Sequence, residues 1–99
     1  VEAHRASILV APSVLAASWV QDNSIALVFI DGDHSSSAVV EDVLAWLPKV
    51  RPGGIIAGHD YHPLESWGNE AGPSVAEGVQ RTLPPGRQLH LAVEGVWWW

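Results

Sequence analysis

The stretch VFIDGDHSSSAVVEDVLAWLPKVRPGGIIAGHDY, residues 28–61, decides how this chain folds. An apolar run at 25–30 is followed by acids and a histidine, and a second run at 55–57 leads into His59 and Asp60. Unbroken apolar runs of this kind are typical of parallel strands covered on both faces. Because parallel neighbours end at the same sheet edge, and ligands bind outside those ends, we expect the two polar tips to converge.

The segment between the two runs has the pattern of a helix. Serines at 35–37 are candidates for the N-cap. From Val39 onward, apolar side chains recur at offsets of four, seven, eight and eleven, which places them on one helix face. Pro48 should kink or end the helix, and the glycine-rich residues 51–54 then predict a turn. The order is therefore strand, helix, strand.

The flanking segments predict further short elements. We expect a helix over 14–20 and another over 75–83, because each is bounded by proline or turn residues. Alternation over 89–93 predicts a third strand, and Glu94-Gly95 a tight turn into a last strand over 96–99. The three terminal tryptophans need a covering surface, which a dimer contact or a further segment of chain would supply.

Composition excludes several classes of function. The chain has 99 residues, enough for one small domain, and a net charge of -6 with only five Lys and Arg, which argues against nucleic-acid binding. There is no cysteine, so a thiolate metal site is excluded. No apolar stretch reaches the roughly 18 residues of a membrane span, and no signal peptide is recognisable, so we expect a cytoplasmic protein.

The ionisable residues at the two tips suggest a cation site. Carboxylates gathered in a partly dry site repel one another unless a cation compensates. Mg²⁺ suits one or two carboxylates with waters, whereas an imidazole would tolerate Mn²⁺ or Fe²⁺. Asp and Gly are also ordinary turn residues after a strand, and a histidine there can simply be satisfied by backbone groups. The residues concerned are Asp31, Asp33, His34, His59 and Asp60.

The stretch quoted above resembles the class I S-adenosylmethionine-dependent methyltransferases, in the branch called methyltransferase family 24. That branch is related to the catechol-type and macrocin-type O-methyltransferases. The likeness is strongest over 24–61 and weaker from Pro12-Ser13 to the last tryptophan. It implies an α/β fold in which residues 1–99 form the C-terminal half of a Rossmann-like sheet, with parallel strands and a terminal antiparallel hairpin.

The resemblance also implies roles at the two tips. Asp31, at the end of the first strand, matches a metal-ligating aspartate beside the methyl group of the cofactor. His59 and Asp60 match two adjacent metal ligands, although relatives carry an acid where His59 stands. His34 falls where catechol-type relatives have a lysine that acts as general base, and a histidine can do that work near neutral pH.

For the cofactor, the resemblance implies contacts from two loops. Ser13 and Val14 match a loop that touches the adenine ring, and Asp31 and Gly32 lie beside the cofactor, where glycine permits close approach. The glycine-rich turn and the ribose-binding acid of the family are absent from this chain. We therefore expect the chain alone to bind S-adenosylmethionine weakly or not at all.

Taken together, these observations predict an O-methyltransferase that acts on a small hydroxyl-bearing molecule. Its cofactors would be S-adenosylmethionine and a divalent metal, with Mg²⁺ as the first expectation. Two alternatives stay open: a metal-dependent hydrolase, since Asp and His clusters also activate water, and a half-domain without catalysis that serves folding or dimerisation. Neither nucleic acid nor a membrane is expected as a partner, and a homo-oligomer is compatible with the apolar end.

Overall fold

In the part of the chain that the structure describes, helices and strands alternate until the last two strands, which follow one another. The structure is a computed structural model that describes residues 6–32, 35–61 and 72–99. Short 3-10 turns follow the second helix and precede the last strand. In chain order the elements are α1 Ser13–Ala17, β1 Ile25–Ile30, α2 Ser36–Trp46, β2 Val50–Gly58, α3 Gly72–Thr82, β3 His90–Leu91 and β4 Trp97–Trp98.

The four strands form one mixed sheet in the order β1-β2-β4-β3. β1 and β2 are parallel, β4 is antiparallel to β2, and β3 is antiparallel to β4. The turn between β3 and β4 contains Glu94 and Gly95 at φ 60° and 82°, the left-handed pair that matches the twist of a tight hairpin. The predicted α/β class, with parallel strands and a terminal antiparallel hairpin, is confirmed.

Helix α2 begins and ends where its sequence predicts. The Ser35 hydroxyl accepts a hydrogen bond from the Ala38 backbone N–H at 3.2 Å, so Ser35 is the N-cap. The helix ends at Trp46, and Pro48 lies in the 3-10 turn that follows. Proline lacks the N–H that would continue the helical hydrogen bonds, which explains the stop.

The hydrophobic core lies between one face of the sheet and helices α2 and α3. The tryptophans that were expected to need a covering surface obtain it largely within the chain, since Trp97 and Trp99 are almost fully buried. Gly78 lets the two helices approach closely, because a Cβ there would lie 2.8 Å from the Cβ of Val39. The buried core residues are Val39, Val43, Ile56, Val75, Val79, Trp97 and Trp99.

The prediction that β1 is covered on both faces is wrong. Val28 and Ile30 pack against the core, but Leu27 and Phe29 are 58% and 53% exposed. Side chains alternate between the two faces of a strand, and within the described residues the core cluster covers only one of them. Among the described strands, β1 is one of the two at the edges of the sheet. An apolar run in sequence thus does not guarantee burial here.

Several further boundaries differ from prediction: α3 begins at Gly72 and not at 75, and β3 and β4 are shorter than the strands expected over 89–93 and 96–99. The glycine-rich residues 51–54 lie inside β2, where they form a bulge: Ile25 pairs with Val50, yet Leu27 pairs with Ile55. Helix α1 spans Ser13–Ala17 and is shorter than the helix expected over 14–20. Within the described ranges, no helix is both long and apolar enough to cross a bilayer.

Candidate functional site

The two polar tips meet at one edge of the sheet. Ile30 pairs with Gly58 in the parallel ladder, so Asp31 and His59 each follow directly from neighbouring strand ends. One potential ligand atom from each of Asp31, His59 and Asp60 lies within 4.8 Å of the others. Among the described residues, this cluster therefore offers two carboxylates and one imidazole to a common point.

The backbone at Asp60 explains how two consecutive side chains reach the same place. In a regular strand, neighbours point to opposite faces. Asp60 adopts a left-handed φ of 66°, a region that aspartate enters more often than most other non-glycine residues. The turn brings His59 Nδ1 to 3.1 Å from Asp60 Oδ1. The Tyr61 backbone N–H donates to the Gly95 carbonyl at 2.9 Å, which holds the chain just beyond this turn.

The backbone of His59 is anchored on both sides. Its N–H donates to the Ile30 carbonyl at 3.1 Å, and its carbonyl accepts from the indole Nε1 of Trp97 at 3.3 Å. Trp97 is only 1% exposed, so its ring is fixed by the core. The buried Gly58 leaves the space that the ring occupies. Nothing in the sequence predicts this role of Trp97, because the contact depends on how β4 pairs with β2.

The cluster has dimensions that suit a divalent cation. In an octahedron with ligand distances near 2.1 Å, adjacent ligands lie about 3.0 Å apart and opposite ligands about 4.2 Å. His59 Nδ1 and Asp60 Oδ1 contact each other directly at 3.1 Å, a separation that two adjacent ligands of one cation would also have. The ligand atoms of the three residues lie within 4.8 Å of one another, so a small inward shift would bring all of them to a common cation. A cavity of about 10 Å³, bordered by Asp31, His59 and Asp60, has room for about one water-sized particle.

A larger cavity of about 390 Å³ lies along the β1 edge. Three of the four predicted cofactor residues line it: Ser13, Asp31 and Gly32. Val14 is not among the lining residues and is 49% exposed. Asp31 borders both cavities, so the large cavity and the carboxylate cluster share one side chain.

Trp46 packs against the hydrophobic core, as its place on the apolar face of α2 predicts, and it also lines this larger cavity. Its indole Nε1 donates to the Ser13 hydroxyl at 2.9 Å, which ties α2 to the start of α1. The side chain is half-buried and lines the cavity together with Asp42. Periodicity identifies the side of a helix that faces inward, but it does not separate the core from the wall of a cavity.

Of the remaining candidate site residues, some lie within the described part of the chain and others lie outside it. His34, the predicted base, and its neighbour Asp33 lie outside the described residues. Tyr61 packs against the core, and its hydroxyl accepts from the Gln80 amide at 2.8 Å. His90 stacks on Trp98 with ring centroids 5.1 Å apart, so it takes no part in the cluster.

The charged side chains around the two cavities are mainly acidic. Asp31, Asp42 and Asp60 are the acidic side chains that border them, and His59 is the basic one. Among the described residues, neither lining includes a Lys or an Arg. Such a surface favours a positively charged ligand, because gathered carboxylates repel one another until a cation lies between them.

Comparisons with known proteins identify the family and the fold of the chain. A sequence model described as a methyltransferase domain matches residues 2–61, more than half of the chain. A crystal structure of a protein from Corynebacterium glutamicum superposes with a TM-score of 0.69 at 17% identity, covering 91% of this chain but 44% of that one. The chain thus spans less than half the length of this structural relative. No curated protein matches the sequence. On the strength of the matched domain, the chain belongs to methyltransferase family 24, within the class I S-adenosylmethionine-dependent methyltransferases.

Proposed function

We propose that the full-length protein transfers a methyl group from S-adenosylmethionine to a hydroxyl of a small molecule, with a divalent cation held by Asp31, His59 and Asp60. The observation that carries this proposal is the position of Asp31, which borders both the carboxylate cluster and the 390 Å³ cavity. Cation and cofactor would therefore be neighbours, and an acceptor bound to the cation would face the cofactor.

The charge distribution supports a cationic cofactor. S-adenosylmethionine carries a positive sulfonium, and the large cavity contains the carboxylates of Asp31 and Asp42. A carboxylate near a sulfonium gains favourable Coulomb energy, which grows as water is excluded. The Ser13 hydroxyl, which already accepts from Trp46, still has its own proton to donate. It would serve a ring nitrogen of the adenine.

The remaining chemistry is positioning. A bound cation lowers the pKa of a coordinated hydroxyl and so favours its deprotonation. The chain supplies the alignment: the anchored backbone of His59 and the left-handed turn at Asp60 keep the ligand atoms in place before any ligand arrives. Such preorganisation reduces the entropy cost of bringing acceptor and methyl group together. His34 stays the predicted base for the acceptor proton.

Calorimetric titration of the full-length protein with S-adenosylhomocysteine tests the proposal. We expect saturable binding that becomes tighter when a divalent cation is present. Asp60→Asn should abolish the effect of the cation on nucleoside affinity. Nucleoside binding measured without the cation should stay unchanged, because Asp60 does not line the large cavity. Asp22→Asn is the matched control, since Asp22 pairs with Lys49 ahead of β1 and borders neither cavity.

The alternatives predict other results in the same titration. A metal-dependent hydrolase would bind the cation without any nucleoside, and a half-domain without catalysis would bind neither. The native protein and Asp60→Asn could both bind the nucleoside with an affinity that does not change when metal is added. That result would support a methyltransferase and contradict the proposed role of the metal. Methylation of the true acceptor is then sought with labelled cofactor against a panel of phenols, sugars and hydroxy acids.

A further inference from the structure

The donor set at the sheet edge contains a nitrogen as well as oxygens. Asp31 and Asp60 offer carboxylate oxygens, and His59 offers a ring nitrogen within the same 4.8 Å. Mg²⁺ is a hard ion that is bound mainly through oxygen and keeps several waters. Imidazole suits first-row transition metals better, and affinity for a mixed nitrogen and oxygen site rises from Mn²⁺ through Fe²⁺ and Co²⁺.

The backbone of His59 is also fixed by hydrogen bonds. Both of its backbone polar groups are engaged, the N–H with the Ile30 carbonyl and the carbonyl with the Trp97 indole. Trp97 is packed in the core at 1% exposure, so this end of β2 does not move independently of the sheet. The backbone of His59 is therefore fixed next to the carboxylates, and in the structure its imidazole lies within reach of a cation that enters the cluster.

The local space agrees with a shared ion. His59 Nδ1 and Asp60 Oδ1 are 3.1 Å apart, close to the roughly 3.0–3.1 Å between adjacent ligands at bond lengths of 2.1–2.2 Å. The cavity of about 10 Å³ that borders Asp31, His59 and Asp60 has apolar neighbours, Ile30 and Val39, on its inner side. A low-dielectric wall strengthens the attraction between the ion and its ligands.

From these observations we propose that the site takes a first-row transition metal of the Mn²⁺ or Fe²⁺ class in preference to Mg²⁺, with His59 as a direct nitrogen ligand. This inference rests on the metal site of the proposed function, and it replaces the expectation of Mg²⁺ from sequence. It assigns the selectivity to one residue, His59, because the other two ligands are carboxylates that either class of ion accepts.

The test uses Mn²⁺ as the probe on the full-length protein. Pulsed electron paramagnetic resonance detects nitrogen bonded to Mn²⁺ as a modulation of the electron spin echo. We expect this nitrogen signal in the native protein and its loss in His59→Asp, which replaces the imidazole with a third carboxylate. His90→Asp is the matched control: His90 stacks on Trp98 away from the cluster, so the signal should persist.

Competition between Mn²⁺ and Mg²⁺ gives a second readout. We expect the native protein to bind Mn²⁺ more tightly than Mg²⁺, with a ratio that falls about tenfold or more in His59→Asp. Mn²⁺ binding without the nitrogen signal, or a ratio unchanged in His59→Asp, would overturn this inference while leaving a cation site intact. Absence of binding by both ions would instead overturn the proposed metal site itself.

Discussion

Gly58 is the position where a single methyl group should disturb both the core and the site. An added Cβ would lie 2.5 Å from Cζ2 of Trp97 and 2.6 Å from the Ile30 carbonyl oxygen. Neither neighbour can yield easily: Trp97 is 1% exposed, and the Ile30 carbonyl accepts the hydrogen bond from His59 N–H. Gly58→Ala therefore forces a shift in the sheet or in the indole.

The magnitude follows from two opposing terms. Overpacking a rigid core costs about 1–3 kcal/mol, and with two rigid neighbours we expect the upper end of that range. Alanine in place of glycine lowers the entropy of the unfolded chain and regains about 0.4–1 kcal/mol. Gly58→Ala should therefore lower the free energy of unfolding of its domain by about 2 kcal/mol. Because the displaced indole donates to the His59 carbonyl, cation affinity should fall as well.

Urea denaturation of the full-length protein, followed by circular dichroism, measures this loss. Gly32→Ala is the matched control for stability, because the nearest atom to its added Cβ is Asp42 Oδ2 at 3.8 Å and Gly32 has no positive φ. We expect the control to change the free energy of unfolding by less than about 0.5 kcal/mol. A Gly58→Ala protein as stable as the control would refute the packing argument.

Three further changes test separate features of the fold by urea denaturation. Val79→Ala, at a position with no exposure, should cost about 2–3 kcal/mol from lost methyl groups and the cavity they leave; a loss below about 1 kcal/mol would contradict the core assignment. Ser35→Ala removes the cap of α2, where the hydroxyl accepts from Ala38, and should cost about 1 kcal/mol; Ser35→Asp should retain most of the stability. Lys49→Gln breaks the 2.7 Å ion pair with Asp22, which should cost less than about 1 kcal/mol and vanish in high salt, because Asp22 is largely exposed.

Local patterns were sufficient for the elements that depend on nearby residues. The bounds of β1, the Ser35 cap and the helix stop before Pro48 agree with the structure, because caps and proline act through their own backbone. The close approach of Asp31 to His59 and Asp60 followed from one rule of parallel sheets, that neighbouring strands end at the same edge. Whether these residues bind a metal stays a prediction.

The pairing of the strands determined which side chains are buried and which segments contact each other, and no single segment of sequence predicts either. Leu27 and Phe29 are exposed although their strand is apolar throughout, since burial depends on which elements lie against each face. Trp97 anchors His59 across 38 positions of sequence, a contact that exists only because β4 pairs antiparallel to β2. The sequence alone thus determined which side chains could form a site. The tertiary structure decided which of them are held in position, because long-range pairing sets the distances between segments that local preferences leave free.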